Sequence, residues 1–108
     1  MTHAAPVEVF AALADNTRQR ILEQLATQGR ASATALSPTL DVTRQAVQKH
    51  LHVLQEAGLV ESTRDGRAVV YVVRSDELTR SANWLQDLAA GWDRRLAHVK
   101  AVAEAPPR

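Results

Sequence analysis

The chain has 108 residues, 45% hydrophobic and 23% charged, with no cysteine and a formal net charge of +1. That length and composition suit one soluble globular domain, and the lack of cysteine excludes a disulfide framework, thiolate metal sites and a thiol nucleophile. No apolar run approaches the roughly 20 residues of a membrane span, and the opening MTHAAPVEVF has neither a basic lead nor an apolar stretch after it. The expectation is a cytoplasmic protein with no membrane partner.

Pro6 suits a first helical position, and Val9, Phe10 and Leu13 follow at helical spacing. Asp15-Asn16-Thr17 is a cluster of N-cap residues, after which Ile21, Leu22 and Leu25 mark one face of a second helix that Gly29 closes. Ser32 caps a short third helix carrying Ala35, Leu36 and Leu40, which Pro38 must shorten or distort. Thr43 caps a fourth helix with Val47, Leu51 and Leu54 inward, and Gly58 ends it. Two short helices joined by a tight turn, the second well capped, form a helix-turn-helix pattern.

The period then changes. A strand begins at Leu59-Val60, Asp65-Gly66 is a hairpin signal, and Ala68 to Arg74 is a β-branched run containing Tyr71. A two-stranded hairpin is marginal alone, so it has to pack on the helices. Ser75-Asp76-Glu77 restarts a helix with a cap and an acidic first turn. Along it Leu78, Ala82, Leu85, Ala89, Trp92, Leu96, Val99 and Ala103 form a heptad-like seam more than three heptads long. Gly91 costs about 1 kcal/mol of helix propensity there, so packing has to offset it. A helix of about 40 Å outreaches so small a core, which points to burial against a second copy. Trp84 and Trp92 are read as structural anchors, and two prolines stop the chain's last helix near 105–108. The fold expected is mainly α with a small β-hairpin: about five helices plus a two-stranded hairpin in one domain over 1–108. Its parts are N-terminal helices at 1–29, the helix-turn-helix at 32–57, the hairpin at 59–74 and a dimerisation helix at 75–104.

Charge is uneven along this frame. Residues 30–74 carry Arg30, Arg44, Lys49, Arg64, Arg67 and Arg74 against Asp41, Glu56, Glu61 and Asp65, a hint of an anionic partner. A recognition helix must offer long polar side chains to base edges from its N-terminal half. With Val47, Leu51 and Leu54 inward, the outward set is Arg44, Gln45, Gln48, Lys49 and His52, with Thr43 at the cap. Arginine pairs with guanine and glutamine with adenine, while lysine and threonine serve phosphates. Arg64 and Arg67 flank the hairpin turn and suit phosphates or the minor groove.

Three ordered motifs carry a family resemblance. Ala12-Leu-Ala-Asp-Asn-Thr-Arg-Gln-Arg-Ile-Leu22 is similar to the opening of ArsR/SmtB-family bacterial repressors. Val42-Thr-Arg-Gln-Ala-Val-Gln-Lys-His-Leu51, followed by Leu54-Gln-Glu-Ala-Gly-Leu-Val60, resembles their recognition helix and the start of the wing, and Asp65-Gly-Arg67 with Tyr71 resembles the wing itself. The resemblance covers roughly residues 7–103. It implies a homodimeric winged helix paired through its first and last helices and binding a pseudo-palindromic double-stranded operator, as a repressor of its own or a neighbouring operon. It also places Thr43, Arg44, Gln45, Gln48 and Lys49 at DNA-reading positions and His50 at a structural or phosphate-facing one. Phe10, Leu85, Trp92, Leu96 and Val99 are the expected dimer contacts. The chain departs from the family's metal sensors: Ser32 and Thr34 stand where a cysteine pair would be, and the last helix offers only His98 with Asp87 and Asp93. Asp41 replaces the usual turn glycine, and aspartate tolerates the left-handed region.

No cofactor is expected. One alternative is a nitrogen/oxygen Zn or Ni site in which His3 and His98 meet across a dimer interface, completed by Asp93 or Glu104. Other switches are an antirepressor protein, a small-molecule effector, or none. A protein-interaction module without DNA function is a further alternative. Catalysis is not expected: no Ser/His/Asp order accompanies a glycine elbow, no loop cradles phosphate, and His50 and His52 point to different helix faces.

Overall fold

Three oxygen-bearing side chains set where helices begin in the computed structural model, which describes residues 4–105. Asp15 precedes α2 (Asn16–Gln28) and accepts the Arg18 backbone N–H at 2.9 Å. Ser32 accepts the Ala35 N–H at 3.1 Å ahead of α3 (Ala33–Leu40), and Thr43 accepts the Ala46 N–H at 3.1 Å ahead of α4 (Arg44–Glu56). Each satisfies one of the free N–H groups that every helix start exposes. Two expected starts need correction. Pro6 stands just outside α1 (Val7–Leu13), because its ψ of 67° is not helical. Ser75 makes no capping bond to α5 (Asp76–Glu104): its backbone is already helical at φ −86°, ψ −12°, whereas a capping hydroxyl needs an extended backbone.

Helix ends are as specific. Past α4, the Gly58 N–H donates to the Gln55 carbonyl at 3.0 Å and the Leu59 N–H to the Leu54 carbonyl at 2.9 Å. These are the paired bonds of a Schellman turn, which needs the left-handed φ of +78° at Gly58. The accompanying apolar contact is supplied by Leu54 and Leu59, both fully buried. α3, with Pro38 inside it, is eight residues long and ends on Asp41, whose φ of 55° and ψ of 41° are left-handed as expected of the turn.

The wing has three strands, not two. β1 (Ala31–Ser32), β2 (Val60–Asp65) and β3 (Ala68–Val73) form an antiparallel sheet in the order β1-β3-β2. β1 is two residues pairing with Tyr71 and Val70, too short to show any alternation. The hairpin turn also shifts by one position. Asp65 pairs with Ala68, so the loop is Gly66-Arg67. Gly66 alone of the two has positive φ, at 64°, the requirement of a type II′ turn.

The core is one cluster: Val9 and Ala12 from α1, Ile21, Leu22 and Leu25 from α2, Leu36 and Leu40 from α3, and Val47, Leu51 and Leu54 from α4, closed by Leu59 and Val60. α5 stands largely outside it, burying only Ser81. The radius of gyration is 19.9 Å and the extents are 77 × 29 × 20 Å, against about 13 Å for a compact chain of this size. A helix of 29 residues projecting past a four-helix core accounts for the difference. No helix of the described residues is long and apolar enough to cross a membrane.

Candidate nucleic-acid interface

The helix-turn-helix is pinned from behind. Arg20 of α2 donates to the Thr39 carbonyl at 3.3 Å, and the Thr39 hydroxyl donates to the Gln24 side chain at 2.7 Å. The Ser37 hydroxyl donates to the Val42 carbonyl across the turn. These bonds fix α3 and the turn, and α4 is seated on the core through Val47, Leu51 and Leu54, which leaves its opposite side exposed. Thr43, Arg44, Gln45, Gln48 and Lys49 are all exposed on its cap and first two turns.

Ion pairing separates the cations of the 30–74 segment. Arg30 meets Asp65 at 3.2 Å, and Arg74 meets Glu61 and Asp76. That pairing raises the pKa of Arg74, chiefly through its hydrogen bond to Glu61. Among the described residues, Arg44, Lys49, Arg64 and Arg67 have no carboxylate within ion-pair distance. Two of these lie on α4 and two in the wing. Arg64 pairs across from Val69 on β3 and Arg67 occupies the turn, so the wing carries its free charge at its tip.

Two histidines sit differently from one another. His52 is exposed on the third turn of α4, 3.9 Å from Glu56, and lines a groove toward α1 with Glu8, Arg18 and Val53. His50 is turned inward: its Nδ1 is 3.4 Å from Arg18 Nη1 and 3.9 Å from the Asp15 carboxylate. Of the two roles expected for His50, the structural one fits this geometry. Arg18 also donates to the carbonyls of Ala12 at 2.7 Å and Ala11 at 3.1 Å, the last turn of α1. The backbone N–H of Arg18, with the nearby guanidinium and His50, holds the Asp15 carboxyl below the ordinary carboxylate range. Sequence reading identified Asp15 as a cap but missed this junction of α1, α2 and α4, since Arg18 and His50 are 32 residues apart.

The expected dimer contacts divide as well. Phe10 is half-buried against Trp84, ring centroids 5.7 Å apart at 59°. Leu85, Trp92, Leu96 and Val99 are each about half exposed, and Leu88 and Val102 extend the same apolar stripe. His98 is exposed on α5, while His3 lies outside the described residues. Among the described residues no three His, Cys, Asp or Glu side chains converge as a ligand set.

A helix-turn-helix domain family matches residues 13–63, the span from the end of α1 into β2. An ArsR-like transcriptional regulator from Rhodococcus sp. RHA1 superimposes with a TM-score of 0.85 at 45% identity, over 94% of this chain and 95% of that one. The transcriptional repressor SdpR of Bacillus subtilis is 29% identical over 77 residues, 71% of this chain and 84% of its own. The homodimeric winged helix-turn-helix DNA-binding domain Mb0332 of Mycobacterium bovis, described as a possible ArsR-family regulator, superimposes with a TM-score of 0.63 at 28% identity, over 78% and 77% of the two chains.

Proposed function

The chain belongs to the ArsR family of winged helix-turn-helix transcriptional regulators, and from that membership we propose that it acts as a homodimeric repressor at a pseudo-palindromic operator of its own or a neighbouring operon. The observation that carries the proposal is the set of four exposed cations with no ion-pair partner among the described residues, Arg44 and Lys49 on α4 and Arg64 and Arg67 in the wing, with Gln45 and Gln48 exposed on the same face of α4. Arg44, Gln45 and Gln48 would read base edges, arginine on guanine and glutamine on adenine. Thr43, Lys49 and the wing arginines would hold phosphates and set the register.

The exposed stripe of α5 supports pairing of two chains. From Asp76 to Ala89 the helix carries three acidic side chains and one basic, and from Ala90 to Glu104 three basic and two acidic. An antiparallel second copy of α5 therefore sets opposite charges and opposite helix dipoles side by side while burying Leu85, Trp92, Leu96 and Val99. A two-fold pair would present its two recognition helices to half-sites about one helical turn of DNA apart.

The test is fluorescence anisotropy on the DNA upstream of the chain's own gene, against random duplex, at several salt concentrations. With Lys49, Arg64 and Arg67 of both copies on phosphates, log K should fall against log salt with a slope of about −5. Arg44→Ala should cost about 1–3 kcal/mol on the operator and relax preference at one base pair per half-site. An equal loss on operator and random DNA would remove the base-reading role from Arg44. Affinity indifferent to Lys49→Ala and Arg64→Ala would overturn the interface itself.

A further inference from the structure

Three helices meet at one guanidinium. Arg18 of α2 donates to the carbonyls of Ala12 at 2.7 Å and Ala11 at 3.1 Å, at the end of α1, and its Nη1 lies 3.4 Å from Nδ1 of His50 on α4. The Asp15 carboxylate comes within 3.9 Å of both side chains. All three groups are partly buried, and no other charged side chain lies within ion-pair distance of them among the described residues. The cluster is internal to one chain.

At about 100° per residue, His50 stands roughly 70° around α4 from the centre of the Val47, Leu51 and Leu54 face, and about 140–160° from Gln45 and Gln48. The contact therefore grips the back of the helix whose front carries the exposed glutamines. Burial of Val47, Leu51 and Leu54 holds α4 to the core, but that attraction is non-directional. A polar contact of fixed length on the flank sets the rotation of the helix about its own axis. Rotation by ~10° moves a side-chain tip, at a radius of about 5–6 Å, by roughly 1 Å. A base contact, held to about 2.7–3.2 Å, weakens steeply over that shift. The attraction of a lysine or arginine to a phosphate falls only inversely with distance.

We propose that Arg18 and His50 are positioning residues for base reading: their contact fixes the rotation of the recognition helix and, through the Ala11 and Ala12 carbonyls, refers it to α1. What the pair protects is base selectivity, not gross affinity. Phe10 seats α1 on Trp84 of α5, so the recognition helix is referred in turn to the helix that bears the exposed apolar stripe. The consequence for DNA rests on the function proposed above, while the cause lies in contacts within one chain.

The test compares the full-length parent with Arg18→Ala, His50→Ala and the double variant, well below their melting temperatures and with sedimentation checked. Each single variant should lose about tenfold of its preference for the upstream duplex over random duplex, the order of one bidentate base contact. Affinity for random duplex should stay as in the parent. The double variant should lose no more than Arg18→Ala alone, because both changes act through one contact. His50→Asn returns a polar atom near the Nδ1 position and should recover most of the preference. The two His50 variants leave the bonds of Arg18 to α1 in place, so this arm stands even where Arg18→Ala folds poorly. Hydrogen exchange without DNA separates the positioning from the function it serves. Arg18→Ala does not alter the sequence of α4, yet exchange there should rise with that of the last turn of α1, while α3 and the β2–β3 hairpin keep the parent rates. A preference unchanged in His50→Ala, additive losses in the double variant, or unchanged exchange in α4 would each overturn the pair's role. A parent with no preference between the duplexes would remove the operator reading, and the exchange result would then carry or overturn the positioning by itself.

Discussion

Nη1 of Arg18 lies 3.4 Å from Nδ1 of His50, a contact that ties the helix before the helix-turn-helix to the recognition helix itself. The same guanidinium donates to two carbonyls at the end of α1, so one side chain holds three helices.

Arg18→Ala leaves those carbonyls and the imidazole without their donor in a partly buried setting, at a cost of about 1–3 kcal/mol. For a chain of this size that is a fall in Tm of roughly 4 °C or more at constant protein concentration. Arg18→Lys should recover less than half of it, because an ammonium lacks the planar fork that reaches all the acceptors at once. A lysine variant as stable as the parent would show that charge alone suffices.

The depressed pKa of Asp15 makes stability depend on acid. A carboxyl whose folded pKa lies below its unfolded value contributes fully above the unfolded pKa, and the contribution is lost as pH falls through the folded one. Stability should therefore drop below about pH 4. Asp15→Asn keeps a good N-cap and removes the titration, so its Tm profile between pH 3 and pH 7 should be flatter on the acid side. Parallel profiles would assign the acid limb to other carboxylates.

At the start of the recognition helix, Thr43→Ala removes the acceptor for the Ala46 N–H and should destabilise the protein by about 1 kcal/mol. Thr43→Ser restores the bond and should restore stability in chemical denaturation. If serine fails where threonine succeeds, the methyl group rather than the cap is the stabilising part.

Leu96→Asp places a charge in the middle of the α5 stripe, where the native side chain is 49% exposed in a single chain. Desolvating an unpaired carboxylate against a second copy is costly, so sedimentation should show a shift from dimer to monomer. Operator affinity should fall steeply with it, because one chain reads one half-site. A monomeric variant that binds the operator as well as the parent would separate pairing from recognition.

Wherever a few neighbouring residues suffice, the chain's order of residue types determined the outcome. The caps at Asp15, Ser32 and Thr43, the inward faces of α2 and α4, the left-handed turn at Asp41 and the seam of α5 are local, set by side-chain chemistry within about one helical turn or by a repeat of 3.6 residues. The exposed residues of α4 were legible for the same reason, as the complement of an inward face. What only the tertiary structure decided depends on segments far apart in sequence. β1 exists because Ala31 and Ser32 meet Tyr71 and Val70. The hairpin register moved by one residue because pairing of Asp65 with Ala68 put Gly66, and not Asp65, at the position requiring positive φ. Arg30 and Arg74 left the free cationic set because partners folded against them. The inward turn of His50 and the seating of Trp84 on Phe10 follow from how α1 meets α4 and α5. Such contacts are fixed by packing of whole elements, where the burial of a common core selects one arrangement that no local pattern encodes.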